Sequence, residues 1–194
     1  MTENRKEEIN IPKTVSDWPE DVELVKCAVC GTEGFISRSG QKFKGCRMVF
    51  NDDGQSVCDF CQPPSKATDG YWIFASRKKG EYPKPTPKSG KWLIFVNERE
   101  VDAAWAKIKR AVEEGRLGQE VKVSTPKPKP ADIGYKKAEH VICVYTYDWT
   151  DKKDVKRIRE ELRKLGITDK IPYKADDDPR YAARGDKGIS RYYE

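Results

Sequence analysis

From residue 71 onward the chain alternates between two hydrophobic periods. Tyr71–Ser76, Trp92–Val96, Val121–Thr125 and Val141–Tyr147 are rich in β-branched and aromatic residues and read as strands, with a weaker run at Ile171–Lys174. Between them, Val101, Ala104, Trp105, Ile108, Ala111 and Val112 step by three and four, as do Val155, Ile158, Leu162 and Leu165. These are the apolar stripes of two amphipathic helices. Asn97 with Glu100 three residues on predicts a capping box for the first, and Gly115 a stop. Thr150 is the expected N-cap of the second, Gly166 its end, and Glu160 with Lys164 an i,i+4 pair on its wet face. Strands alternating with two helices predict an α+β domain over 71–194. Its expected form is a single, mainly antiparallel, curved sheet with both helices on one face.

The first seventy residues carry no such periodicity. Residues 1–20 hold little apolar material beyond Ile9, Ile11, Val15 and Trp18 and read as an extended lead-in. Residues 21–64 contain five of the six cysteines, as Cys27-Ala-Val-Cys30, Cys46 and Cys58-Asp-Phe-Cys61. Two Cys-x-x-Cys knuckles can set four thiolates at the corners of a tetrahedron, so Cys27, Cys30, Cys58 and Cys61 are the expected ligands of one structural Zn²⁺ in a small zinc-ribbon-like module. Four sulfurs leave no open position for a catalytic water. A hairpin is expected between the knuckles, leading out through Phe35–Ser37 and back through Lys42–Lys44. Cys46 is the odd member, a replacement ligand or plain packing, and Cys143 lies mid-strand as core. Gln62–Gly70 is linker-like by its Pro, Ser and Gly content, and the linker is read at 65–70.

Composition narrows the class. The net charge of +6 is uneven: residues 1–70 hold nine Lys/Arg against twelve Asp/Glu, and residues 71–194 hold 29 against 20. A polyanion would therefore meet the second module. No apolar run approaches the roughly 20 residues of a membrane span, and Met1–Glu8 lacks the apolar core of a signal peptide. A cytoplasmic address is expected by elimination, where thiols stay reduced and paired knuckles read as metal chemistry. Two loops, Tyr82–Lys88 and Thr125–Pro130, are stiffened by proline and carry only positive charge. They serve either to present lysines or to space strands.

Several phrases carry a resemblance. Val101-Asp-Ala-Ala-Trp105 opens a helix after a Trp-bearing strand, and Val144-Tyr-Thr-Tyr-Asp-Trp149 leads into a second, acidic-started helix. In this the chain resembles the cap-binding translation initiation factors. It also resembles an uncharacterised family of that fold, the basophilic-leukaemia-expressed proteins, through Gly90-Lys-Trp-Leu-Ile-Phe95, Gly115-Arg-Leu-Gly118, Lys122-Val-Ser-Thr125 and Ile171-Pro-Tyr-Lys174. The resemblance covers about 71–194 and implies the cap-binding fold. It also implies that Trp105 faces helical partner peptides, whereas periodicity makes Trp105 core. The Trp-Glu pair by which cap binders hold a methylated base has no counterpart in this sequence. Some relatives are described as similar to phosphothreonine lyases, which implies Lys122 as a base. His140 or a tyrosine would then be the acid, imidazole being the side chain suited to such work near neutrality.

The final segment, 174–194, interleaves Arg180, Arg184 and Arg191 with Tyr181, Tyr192 and Tyr193. Arginine offers a bidentate fork to phosphate and tyrosine a stacking face to a base. These arginines either seal loops through Asp pairs or, with Lys122, Lys136 and Lys174, form a phosphate-binding set. The leading expectation is a zinc-containing protein that binds a phosphate-bearing ligand, RNA or a nucleotide. The rivals are a phosphoester-acting enzyme using Lys122 and a protein-interaction adaptor using the Trp105 helix.

Overall fold

The computed structural model describes residues 20–37, 48–51, 53–58, 61–68, 70–127, 139–177 and 191–194. The lead-in up to residue 19, Lys42–Lys44, Cys46, and loop residues 128–130 lie outside the described residues. The chain divides into two compact units, Met1–Gln62 and Pro63–Glu194.

The first unit is built from two short hairpins. Strand β1 (Val22–Lys26) pairs antiparallel with β2 (Glu33–Ser37), and β3 (Met48–Phe50) with β4 (Ser56–Cys58). Phe35–Ser37 is a strand as expected, but its described partner is the preceding Val22–Lys26. The first knuckle therefore forms the turn of a hairpin, where Gly31 takes φ +72° and its amide donates to Cys27 O at 2.9 Å. The second knuckle follows β4, with Cys61 N and Gln62 N donating to Cys58 O. The buried cluster is small: Cys27, Ile36, Met48, Val57 and Cys58.

The second unit is one six-stranded sheet in the order β10-β9-β6-β8-β7-β5, every pair antiparallel. The strands are β5 (Trp72–Ser76), β6 (Gly90–Asn97), β7 (Glu120–Ser124), β8 (Glu139–Thr146), β9 (Pro172–Ala175) and β10 (Tyr192–Tyr193), with α1 (Val101–Glu113) and α2 (Lys152–Lys164) between them. Alternation assigns the faces. Ile73, Trp92, Ile94, Val121, Val123, Ile142, Val144 and Tyr173 pack with Trp105 and Ile108 of α1 and Ile158 and Leu162 of α2 in one core, so both helices cover the same face. Trp92 is the pivot of that core. Its indole N–H donates to Val155 O at 3.2 Å, and its ring meets Tyr173 edge-on at 5.0 Å. Ser65 N and Oγ both donate to Asp102, and Ala67 is buried in this core.

Helix starts differ from expectation by a few residues. Asn97 Oδ1 does accept from Glu100 N, and Asn97 Nδ2 donates to Glu100. That box closes a turn ahead of α1, and the helix begins at Val101 after it. At α2 the N-cap is Asp151, accepting from Lys153 N and Asp154 N. A carboxylate there also complements the helix dipole, whereas Thr150 turns back to Asp148. Glu160 pairs with Arg163, and Lys164 with Glu161 at 2.7 Å, so the i,i+3 partners take the places expected for i,i+4.

The phrase Gly115-Arg-Leu-Gly118 owes its glycines to close backbone approach. A Cβ on Gly118 would lie 2.0 Å from Tyr145 O, and one on Gly115, at φ +81°, 2.3 Å from Lys79 O. Gly118→Ala is expected to lower the melting temperature of this unit by several degrees, about 1–3 kcal/mol, in a thermal scan.

Candidate functional site

Thiols gather in the first unit because each hairpin ends in a knuckle. Register puts Cys58 opposite Met48 at the end of β4, and Ala28 N donates to Ser56 O at 2.8 Å, tying the first knuckle to that strand. The Sγ atoms of Cys27, Cys30, Cys58 and Cys61 all lie within 4.8 Å of one another. Cys30 and Cys58 sulfurs are 3.7 Å apart. Four sulfurs bonded tetrahedrally at about 2.3 Å to one ion stand about 3.8 Å from each other. The cluster thus fits a metal ion.

Its electrostatics agree. Hydrogen bonding with Thr32 brings the Cys30 thiol down to about 6, while burial and the neighbouring Cys61 and Cys30 thiols push Cys58 up. Burial works to raise Cys27, but amides of Cys58, Cys30 and Val29 bring it below its ordinary value. Thiolates this close repel, and a divalent cation removes that penalty.

In the second unit, the sheet face opposite the helices carries cations interleaved with rings. Register aligns Phe74, Lys122, Cys143 and Leu93 across β5, β7, β8 and β6, with Lys91 beside Tyr145 and Lys174. Leu93, Val141 and Cys143 form a separate buried cluster with Trp72 and Tyr145 against it. Lys122 Nζ stands 4.4 Å from the Trp72 ring centroid, 5.3 Å from Tyr145 and 6.0 Å from Phe74. Lys91 Nζ lies 5.1 Å from Tyr145 and pairs with Asp176. Phe74 and Phe95, of the same parity, are 38% and 45% exposed. Burial, reinforced by the Lys91 ammonium, lowers the pKa of Lys174.

Lys122 and Lys174 thus share a face, three strand spacings across and two residues along, or about 16 Å apart. Arg191 sits elsewhere, its guanidinium carbon 3.5 Å from the Trp149 centroid and its backbone N donating to Tyr173 O. Lys136, Arg180, Arg184 and Tyr181 lie outside the described residues. Tyr192 packs on Tyr173, a structural role, and Tyr193 is exposed.

His140 pairs with Val96 across strands and shares the parity of Ile142 and Val144, on the helix side. It is buried, with Nδ1 2.7 Å from Ser124 O. Lys122 has the parity of Cys143, so the two side chains leave opposite faces of the sheet and cannot act on one substrate. Trp105 is 3% exposed within the core, so the outward position implied for it is not found and periodicity prevails. Cys143 is core, as expected. Lys91, Trp72 and Phe74 were missed as site residues. The signal lay in alternation, since each is an odd-face neighbour of a buried residue.

Residues 84–177 match the sequence model of a family described as basophilic leukemia-expressed protein Bles03. The match falls inside the stretch covered by the sequence resemblance. Among solved structures the chain is similar to schistosome eIF4E complexed with m7GpppA and 4E-BP, at 19% identity and a TM-score of 0.43, covering 56% of this chain and 61% of that one. It is similar also to C. elegans eIF4E-3 in complex with the 4E-binding protein Mextli, at 20% identity and a TM-score of 0.41, covering 55% and 59%. A third is Ascaris suum eIF4E-3 with m7G cap, at 22% and 0.39, covering 55% and 57%. The chain spans less than two thirds of each of these proteins. No helix among the described residues is long and apolar enough to cross a membrane.

Proposed function

We propose that the protein binds a phosphate-bearing ligand, RNA or a nucleotide, on the helix-free face of its six-stranded sheet, and that one structural Zn²⁺ holds its first unit. The observation that carries the first part is the setting of Lys91, Lys122 and Lys174 among Trp72, Phe74, Phe95 and Tyr145 on one face. Lysine heads neutralise phosphates, and exposed rings such as Phe74 and Phe95 offer bases a stacking surface at little conformational cost. The alternating pleat presents both kinds of group in one plane. Zinc is the metal that four thiolates at these separations favour, and a closed set of sulfurs assigns it a structural role.

The enzyme reading loses His140 as its acid, because His140 and Lys122 leave opposite faces, and keeps only a tyrosine, Tyr145, on the face of Lys122. The adaptor reading loses its anchor with Trp105 buried.

The test is a salt titration of binding to a single-stranded RNA octamer, with GMP in parallel to separate strand from nucleotide. Three lysine–phosphate contacts give a slope of about −2 in log K against log salt, so affinity should fall about twentyfold between 50 and 200 mM salt. Lys122→Ala should make that slope shallower by about 0.7. An affinity that is flat with salt would sink the reading.

A further inference from the structure

The loop after β5 folds back over the end of the sheet and leaves a cleft of about 330 Å³. It is lined by Tyr82, Gln119, Glu120, Tyr145, Tyr147 and Asp176, with Thr146 behind them. Loop geometry fixes the walls. Thr86 N donates to Tyr147 O and Thr86 Oγ1 to Asp148, while Trp149 N reaches Lys88 O. The Tyr82 hydroxyl is committed to Asp154 and the Tyr147 hydroxyl to Asp151, and the two rings meet edge-on at 5.6 Å. Both phenols are therefore spent as donors, and Arg77 already stands over the Tyr82 ring at 5.0 Å, so what the cleft offers a ligand is the remaining ring faces and acceptors.

The acceptors are unequal. Asp176 already holds the Lys91 ammonium, which together with Lys122 also stands over Tyr145. Glu120 is half-buried, and its carboxylate makes no hydrogen bond or ion pair among the described residues. An anion would meet two carboxylates here, and an apolar ligand would strip water from Glu120 without replacing it. A cation satisfies both the carboxylate and the rings. The chain's own lysine at the rim shows that this wall accepts an ammonium.

We infer that the cleft binds an organic cation, an alkylammonium or guanidinium group, with Glu120 as its counter-ion and the Tyr82, Tyr145 and Tyr147 rings as its walls. The group can belong to a free polyamine or to a lysine or arginine side chain of a peptide. This site borders the phosphate-binding face, sharing Tyr145 and the Lys91–Asp176 pair with it, but does not depend on that reading.

Titration of the full chain by calorimetry and NMR, without nucleic acid, tests it with four probes: tetramethylammonium, methylguanidinium, spermidine and N-acetyl-lysine amide. Saturable binding in the millimolar range or tighter is expected. A preference for spermidine would assign a free polyamine, and one for the lysine amide a side chain. Glu120→Gln should weaken binding about tenfold, the loss of one half-buried counter-ion. Lys91→Met should act in the opposite direction, tightening the cation severalfold by releasing Asp176 while weakening RNA. Absence of saturable binding for every probe, an unchanged affinity in Glu120→Gln, or weaker cation binding in Lys91→Met would each overturn the inference. Loss of RNA binding alone would overturn only the preceding reading.

Discussion

Removing metal from the purified protein with a strong chelator is expected to unfold the two hairpins β1–β4 and leave the six-stranded unit intact. The reason is the size of the first core, in which Cys27, Ile36, Met48, Val57 and Cys58 are the buried cluster and two of the five belong to the candidate metal cluster. A core this small does not offset the ordering of two hairpins, and units of this kind depend on a staple. Structural zinc contributes about 10–16 kcal/mol in comparable peptides, which is the folding energy outright. Hydrogen exchange read by mass spectrometry should show β1–β4 losing all protection while β5–β9 keep theirs. Cys30→Ser should reproduce the effect and abolish the one-to-one zinc content. Cys30 is exposed, so its replacement opens no cavity, and the loss reports ligation rather than packing. Val29→Ser, at a side chain 68% exposed in the same turn, should change stability by less than about 0.5 kcal/mol. Full protection of β1–β4 in metal-free protein would refute the zinc staple.

How legible the molecule is in its sequence depends on which force sets each feature. Period-2 and period-3.6 patterns gave the five longer strands of the second unit and both helices, because one buried face imposes them. The ligand knuckles were legible because coordination fixes spacing. Strands β1, β3, β4 and β10 were not, being short and held by pairing rather than by a hydrophobic stripe. Helix starts slipped because Asn97 and Asp151 satisfy amides by local hydrogen bonds that several nearby polar residues could equally make. Lys122 was found as a cation, but its distance from His140 in function was hidden. Only the register Lys122↔Cys143 shows that the two leave opposite faces. Lys91 escaped notice because the strand was read from Trp92, two residues late.

The largest single-residue loss of stability in the second unit is expected at Arg159. Its position is anomalous in the pattern of α2: with Val155, Ile158 and Leu162 it falls on the apolar stripe, and it is fully buried. The guanidinium is satisfied by main-chain oxygens rather than by an acidic side chain. Nε donates to Glu194 O at 3.0 Å, Nη1 to Ile167 O at 2.7 Å and Nη2 to Asp169 O at 2.6 Å, while the Trp92 ring lies 5.9 Å from its carbon. Burial, with Arg163 nearby, lowers its pKa, yet guanidinium remains protonated, so the charge is retained and held by three main-chain oxygens. One side chain thereby ties α2 to the turn after it and to the end of β10. Arg159→Ala removes three charge-assisted bonds, leaves carbonyls unpaired and opens a cavity, for an expected cost of about 3–5 kcal/mol. Arg159→Lys should recover little, since an ammonium cannot reproduce the planar fork. Arg163→Ala, which breaks only a partly exposed pair with Glu160, should cost less than about 1 kcal/mol. Urea unfolding followed by the fluorescence of Trp92 and Trp105 measures all three. If Arg159→Ala and Arg163→Ala shifted the midpoint equally, the buried fork would hold nothing that a surface ion pair does not.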